Sequence, residues 1–270
     1  MAGADSRSPL VPLERLGRAT VAAVEEFGYY FMLFLESAYW LLFGWTRQQS
    51  VRLASMAAQM MSIGIAATPI ITLLSFTIGV MLAIQGIATL KIFGAEDQVV
   101  TGIALSITRE FGALITAIVI AGRSGSALAA RIGTMQVSQE IDALRVMSIN
   151  PVRYLSSPVL AAMLLMVPSL TLIADIGGLF GGAVFTNLEL GLSYPAYLDR
   201  TLSSLVFDDV RQGLIKSLVF ATIITVIGVS NGFQVTGGAE GVGRATTRSV
   251  VLAISYIVVA DMLFTYFLNR

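Results

Sequence analysis

The sequence predicts an all-α integral membrane protein with five transmembrane helices, preceded by an amphipathic interfacial helix. A cytoplasmic helix is expected between spans two and three. The 270 residues are 56% hydrophobic and only 13% charged, whereas a soluble domain usually carries about 25% charged residues. The apolar residues are gathered into long runs. In lipid, runs this apolar satisfy their backbone hydrogen bonds as helices.

Five stretches are long and apolar enough to cross a bilayer, which takes about 20 residues. They are Met56–Gly86, Val99–Ala121, Pro158–Phe185, Leu214–Phe233 and Val250–Leu268. The last is only just long enough. These stretches divide the chain into an N-terminal cytoplasmic or interfacial segment, 1–55, and a transmembrane domain, 56–270.

The N-terminal stretch Leu13–Trp45 has two interpretations. Apolar residues recur every three or four positions from Leu13 to Phe34, which is typical of one face of a helix. From Phe27 onward the stretch is apolar almost all round and could form a sixth span. We favour a helix lying in the interface, because the stretch is amphipathic, rich in aromatic residues and carries Glu36 in mid-run.

The composition excludes several classes of function. There is no cysteine and no histidine, so the chain lacks thiolate nucleophiles, the commonest general base and the commonest metal ligands. The formal net charge is zero, which gives no reason to expect a nucleic-acid partner. We therefore expect no catalytic residue, metal or cofactor in this chain.

The distribution of arginine predicts the orientation in the membrane. Cytoplasmic loops carry an excess of Lys and Arg. Arginines cluster before the first span, after the second and after the fourth: Arg7, Arg15, Arg18, Arg47 and Arg52, then Arg123, Arg131, Arg145 and Arg153, then Arg244 and Arg248. We therefore expect a multi-pass membrane protein with its N-terminus in the cytoplasm and Arg270 on the far side.

The loop Gly122–Tyr154 is predicted to contain two helices. Its two apolar stripes would face opposite sides of one continuous helix, so we expect a break near Gly133–Ser138. Ser138 would cap a second short helix, and Asn150-Pro151 would end it. That helix would carry Glu140, Asp142 and Arg145. From the residues alone, docking into a partner and packing on the chain's own bundle are equally supported.

The glycine-rich segment after the fourth span resembles a phosphate-binding loop only in spacing. Gly238 and Gly243 fit the pattern, but the required lysine is replaced by Arg244 and the magnesium-binding hydroxyl by Ala245. The preceding element is a membrane helix rather than a strand. We expect no ATP hydrolysis here. A plain connection between spans is favoured slightly over a hinge or docking loop.

Arg109 and Glu110 form a charged step inside the second span. Ionisable residues at this depth are costly and usually face the bundle interior or a watery cavity. Adjacent residues on a helix point about 100° apart, so at least one should reach another helix or a ligand. Asp175 and Asp261 are the candidate partners. Two roles stay open: a structural ion pair, or a polar spot that meets the headgroup of a substrate.

Several long motifs now occur together in one order. They are Ala121-Gly122-Arg123-Ser124-Gly125-Ser126-Ala127, Ala130-Arg131-Ile132-Gly133-Thr134-Met135, Gln139-Glu140-Ile141-Asp142-Ala143-Leu144, Asn150-Pro151-Val152-Arg153-Tyr154-Leu155, and Gly237 to Arg248. Thr108-Arg109-Glu110-Phe111-Gly112 adds the charged step. From about Met56 onward the chain resembles the MlaE (YrbE) permease family, and the N-terminal stretch matches it only in character.

The resemblance implies a homodimeric permease of an ABC transporter that handles phospholipid or a related hydrophobic lipid. Its expected partners are a cytoplasmic ATPase that binds ATP and Mg, an MCE-domain lipid-binding protein on the other side and, in some members, a STAS-domain subunit. It implies a coupling helix around Glu140, Asp142 and Arg145. It also implies a lipid cavity lined by Phe76, Val80, Ile84, Ile87, Arg109 and Glu110. Some relatives carry an aromatic residue where Ile87 stands.

Two other classes of function remain as alternatives. One is a proton-coupled secondary transporter that uses Glu110, Asp175 and Asp261. Such transporters often show an internal repeat or paired broken helices, and this sequence has neither. The other is a membrane scaffold that transports nothing.

Overall fold

The computed structural model describes residues 10–44 and 53–268, and in these ranges the chain is helical with no strand. The helices are α1 Leu10–Phe43, α2 Leu53–Met60, α3 Thr68–Lys91, α4 Val99–Ser106, α5 Gly112–Ile120, α6 Ser126–Val137, α7 Glu140–Val146, α8 Ser157–Leu190, α9 Tyr194–Ser204, α10 Phe207–Phe233 and α11 Gly238–Leu268. Four π-helical turns join consecutive helices: Met61–Ile65, Ile107–Phe111, Ala121–Gly125 and Val152–Ser156. A 3-10 turn at Glu96–Gln98 precedes α4.

Five helical segments within the described residues are long and apolar enough to cross a membrane, which confirms the predicted number of spans. They are Ala54–Lys91, Glu96–Val137, Val152–Leu190, Phe207–Phe233 and Gly238–Leu268, called spans 1 to 5 below. Each is longer than its predicted counterpart, because hydropathy marks only the apolar part of a helix. The polar ends continue the same helix beyond that part.

The segment around α7 is built differently from the prediction at three points. The second span runs unbroken to Val137, and the break falls at Ser138 and Gln139. Ser138 does not cap α7; the N-cap residue is Gln139, in a left-handed conformation with φ of 59°. The side chain of Ser138 instead donates to the Thr134 carbonyl. The break therefore rests on an uncommon backbone conformation of a non-glycine residue.

Asn150 and Pro151 begin the third span rather than end α7, which already ends at Val146. The Asn150 Oδ1 accepts hydrogen bonds from the backbone N–H groups of Val152 and Arg153, at 2.8 and 3.1 Å. An asparagine side chain at a helix start satisfies N–H groups that have no partner within the helix.

The glycine-rich segment after span 4 is neither a plain connection nor a flexible loop. Its helix begins at Gly238 and continues without interruption through the predicted fifth span to Leu268. The turn is confined to the residues just before it, where Gly237 and Gly238 have φ of 86° and 70°. Glycine adopts this region without steric cost, so two glycines reverse the chain in very few residues.

The long N-terminal helix α1 packs on the bundle near α7 and the start of span 3. Ser37 Oγ lies 2.7 Å from Ser156 Oγ, and Asn150 Nδ2 donates to Glu36 Oε1 at 2.8 Å. The helix ends at Phe43, and residues 45–52, which include Arg47 and Arg52, lie outside the described residues, as do Arg7 and Arg270. The interfacial placement of this helix and the domain boundary at 55 stay predictions.

Spans 1 and 3 cross with their backbones in direct contact. A Cβ on Gly79 would lie 1.9 Å from the carbonyl oxygen of Gly178, and one on Gly181 would lie 2.1 Å from that of Phe76. Ser75 also donates a hydrogen bond to the backbone carbonyl of Ala174 across this seam. Small residues let membrane helices approach closely, where packing rather than the hydrophobic effect holds them together.

We expect Gly79→Ala to lower the thermal stability of the purified protein. The new methyl group meets backbone that cannot move without separating the two spans, and such overpacking costs about 1–3 kcal/mol. Gly102→Ala is the matched control, since a Cβ there meets nothing within 4 Å. Unfolding midpoints in one detergent measure both. Equal midpoints for Gly79→Ala and the parent chain would show that the seam is loose.

Candidate functional site

Arg109 and Glu110 lie in the π-helical turn Ile107–Phe111, which interrupts span 2. A π turn inserts one extra residue into the helical repeat and is frequent at functional sites. Spans 4 and 5 face this turn. The two charged side chains reach different partners, as the angle between neighbouring helix positions requires.

Glu110 belongs to a charged cluster that joins spans 2, 4 and 5. The Nζ of Lys216 donates to the Glu110 carboxylate, lies 3.0 Å from Asp261 Oδ1 and donates to Thr265 Oγ1 at 3.0 Å. Thr265 Oγ1 lies 3.1 Å from both Glu110 oxygens. Lys216 is fully buried, while the side chains of Glu110 and Asp261 are 27% and 16% exposed. One ammonium group is thus held by two carboxylates.

Arg109 binds the first turn of span 4. Its Nε and Nη2 both lie 2.6 Å from Asp209 Oδ1. The second oxygen of Asp209 accepts the backbone N–H of Val206 at 2.9 Å. The Asp209 side chain is 3% exposed and that of Arg109 is 35% exposed. The guanidinium therefore keeps an open side beyond its ion pair.

The predicted partners of the charged step were half right. Asp261 reaches Glu110, but only through Lys216, which the sequence reasoning missed inside the apolar run of span 4. Asp175 is not a partner: within the described residues its buried Oδ1 has no hydrogen-bond partner. It packs instead against Gly112, where a Cβ would come within 1.8 Å of that oxygen. Asp209, which lies before the predicted fourth span Leu214–Phe233, is the acid that binds Arg109.

Lys216 could have been found from the sequence by a charge argument. Two acids in spans 2 and 5 need a cation at similar depth, since unpaired charge in a membrane is costly. Lys216 is the lysine of the fourth apolar run. Hydropathy averages over the whole run and hides it.

The four apolar residues predicted to line a lipid cavity lie on α3 in unequal surroundings. Ile87 is 4% exposed and packs with Val99 and Ile103 of span 2. Ile84 is 47% exposed, and Phe76 and Val80 are partly buried. The Phe76 ring lies 6.0 Å from that of Phe180. The side chains of Phe76, Val80 and Ile84 are thus exposed enough to contact a lipid, whereas Ile87 is buried in the contact between spans 1 and 2.

The short helix α7 has one face on the bundle and one face open. Ile141 and Leu144 are buried in the main core cluster. Glu140 is exposed, and Asp142 and Arg145 form an exposed i,i+3 ion pair of 2.9 Å. The helix therefore packs on its own bundle, as one of the two interpretations expected, and docking of its charged face into a partner stays a prediction.

Comparison with known proteins decides the family. The sequence model of the family described as Permease MlaE matches residues 56–267. This chain belongs to the MlaE permease family. It is therefore a multi-pass membrane protein and the permease subunit of an ABC transporter.

Three relatives illustrate the similarity. A probable ABC transporter permease protein of Rickettsia typhi is 37% identical over 78% of this chain and 82% of its own length. The Haemophilus influenzae intermembrane phospholipid transport system permease protein MlaE is 33% identical over 77% of this chain and 80% of its own length. The chloroplastic protein TRIGALACTOSYLDIACYLGLYCEROL 1 of Arabidopsis thaliana is 38% identical over 72% and 56%.

We expect Lys216→Met to destabilise this permease strongly. Removing one partner of a buried ion pair leaves uncompensated charge and costs about 3–5 kcal/mol. Combining it with Glu110→Gln and Asp261→Asn should recover much of the loss, because no unpaired charge then remains. Unfolding midpoints in detergent test this, with the exposed Lys91→Met as control. A combined variant no more stable than Lys216→Met would contradict the pairing.

Proposed function

We propose that this permease moves phospholipid or a related hydrophobic lipid between the inner membrane and an MCE-domain lipid carrier. The main support is that this permease of the MlaE family contains the buried Lys216 cluster with the partly exposed Arg109 beside it. The Haemophilus influenzae relative, named as an intermembrane phospholipid transport permease, supports the lipid class.

The lipid path would run between the charged step and the exposed part of α3. The open side of the Arg109 guanidinium suits a phosphate headgroup, which arginine binds through paired donors. Phe76, Val80 and Ile84 would contact the acyl chains, and Glu110 would set the charge of the site. Ile87 would act indirectly, by holding spans 1 and 2 together.

A second copy of the chain would complete the transporter. In an 18-residue apolar stretch of each span, only 11% of span 5 and 28% of span 1 are buried within one chain, against 67% of span 4. Spans 1 and 5 thus leave most of their apolar surface free for another helix or for lipid. The homodimer implied by the family resemblance would cover part of it.

A separate cytoplasmic ATPase would bind ATP and Mg and drive the cycle, with a STAS-domain subunit beside it in some systems. Conformational changes of the ATPase would be transmitted to the permease through α7. The arginine distribution then sets the orientation we propose: α7 and the N-terminus in the cytoplasm, and the Lys216 cluster towards the MCE carrier.

The proton-coupled alternative receives less support than the ABC mechanism. Two of its three carboxylates, Glu110 and Asp261, share the ammonium of Lys216 as ion-pair partners. The Rickettsia typhi relative is named as a probable ABC transporter permease. The scaffold alternative is tested by the transport experiment below.

We expect Glu140→Lys and Asp142→Lys to weaken ATPase binding and ATP-driven transport while leaving the permease folded. Both acids are exposed on α7, so their replacement should change stability by less than about 0.5 kcal/mol. Asp208→Lys is a matched control, because Asp208 forms the same type of exposed i,i+3 pair, with Arg211 at 3.0 Å, on the other side of the bundle. Co-purification of the ATPase gives the measurement. Equal ATPase recovery in all three variants would place the docking surface elsewhere.

We expect Glu110→Gln to lower lipid transport per assembled complex roughly tenfold or more. It removes one charge-assisted hydrogen bond, worth about 1.5–3 kcal/mol, while Asp261 still neutralises Lys216. Transfer of labelled phospholipid from vesicles holding the reconstituted complex measures this, normalised to complex recovered. Glu189→Gln, at an exposed position, is the control. Unchanged transport per complex would remove Glu110 from the lipid site, and no ATP-driven transfer by the parent complex would favour the scaffold.

A further inference from the structure

A second polar site lies at the opposite end of span 2, on the side of α7. A pocket of about 260 Å³ opens between spans 1, 2 and 3. It is lined by Gln59, Ser62 and Ile63 of span 1, by Arg123, Ser124, Ala127, Leu128 and Arg131 of span 2, and by Val159 and Met163 of span 3. Arg123 lies roughly 20 Å along the helix from Arg109. The pocket is therefore separate from the charged cluster.

Among the residues that the structure describes, two arginines in this pocket have no acid beside them. Neither Arg123 nor Arg131 has a described carboxylate within ion-pair distance or a hydrogen bond from its guanidinium. Other arginines do have such partners, such as Asp142 for Arg145 and Glu240 for Arg244. Two unneutralised guanidinium groups in one pocket attract an anion.

The backbone on both sides of the pocket is unusual. Ser62 and Ile63 belong to the π-helical turn Met61–Ile65, and Arg123 and Ser124 belong to the turn Ala121–Gly125. Each π turn shifts the side chains that follow it around the helix axis. Two of the four π turns thus meet across one pocket and turn polar groups towards it.

The remaining wall of the pocket is apolar. Ile63, Leu128, Val159 and Met163 are at most 5% exposed, and they line the same space as the polar residues. A purely aqueous anion gains nothing from such a wall. An amphiphile with a charged end and an apolar end matches both surfaces.

The Arg123 end of the pocket lies at the depth of the headgroup region. Span 2 enters the apolar layer near Val99, and about 30 Å of hydrocarbon is crossed in about 20 residues. Arg123 then lies just past the hydrocarbon edge, and Arg131 about 12 Å further into the aqueous side. Basic pockets between membrane helices at this level bind the headgroups of anionic lipids.

We propose that this pocket binds a phosphate group, held by Arg123 and Arg131 with Gln59, Ser62 and Ser124 as further polar contacts. The phosphate is that of an anionic phospholipid headgroup or a free phosphate, and the apolar wall favours the lipid. The inference does not rest on the proposed function, because it concerns binding at the α7 side and holds for any transported molecule.

The test uses the purified full-length chain in detergent, mixed with phosphatidylglycerol or phosphatidylcholine and examined by native mass spectrometry. We expect preferential retention of phosphatidylglycerol. Replacing both arginines, Arg123→Gln with Arg131→Gln, should reduce its retention about tenfold or more, since charge-assisted bonds to phosphate are lost. Arg123→Lys with Arg131→Lys keeps the charge and should retain an intermediate amount, which keeps the test valid if the glutamine variant fails to fold.

The matched control is Arg211→Gln with Arg244→Gln, which removes the same charge from exposed positions and should retain the lipid like the parent. Competition with inorganic phosphate distinguishes the lipid headgroup from free phosphate as the ligand. If phosphate displaces the lipid, the phosphate group alone is enough for binding. If phosphate does not displace the lipid, the apolar part of the lipid also contributes to binding. Both outcomes support the site. Equal retention by the glutamine variant and the control overturns it, as does loss of ATPase binding or a changed subunit number with lipid retention intact.

Discussion

The membrane bundle depends on the ion pairs that the Lys216 ammonium forms. This ammonium is fully buried and held between Glu110 of span 2 and Asp261 of span 5, while Lys216 itself belongs to span 4. In lipid, helices gain no hydrophobic energy from meeting each other, so specific contacts must choose their neighbours. An ionised group without partners would be expensive at this depth. The cluster therefore selects the arrangement of three spans in which each of these charged groups lies beside one of opposite sign.

A second kind of contact stabilises the bundle. Here glycines, which have no side chain, allow two helix backbones to touch. Spans 1 and 3 meet backbone to backbone at Gly79, Gly178 and Gly181, and Ser75 donates across the seam to Ala174. Span 2 packs beside this seam through Ile103 and Ile107. The π turn that carries Arg109 and Glu110 is thus held between a rigid glycine seam on one side and an ion cluster on the other.

The sequence predicted the spans well because their signal is additive: many apolar residues outweigh a few exceptions. The same averaging hid Lys216. It also ended the second span too early, at Ala121 instead of Val137, and began the fifth span too late, at Val250 instead of Gly238. The break before α7 was placed nearly right by its apolar stripes. Its cap was not, because nothing in the sequence marks Gln139 for a left-handed backbone. The candidate site was found through Arg109 and Glu110, while Asp209 and Lys216 required the packing of distant segments.

The helix α11 runs without interruption from Gly238 to Leu268 and connects two distant parts of the molecule. With 31 residues it is about 46 Å long, well beyond the roughly 30 Å of hydrocarbon. One end carries Arg244 and Arg248, the latter tied to Glu26 of α1, and the other carries Asp261 and Thr265 in the ion cluster. Between Arg244 and Leu268 it contains no proline or glycine, the residues at which sharp kinks usually form. A tilt of this helix at the arginine end would therefore displace Asp261 and Thr265 relative to Lys216, which couples the two ends of the helix mechanically.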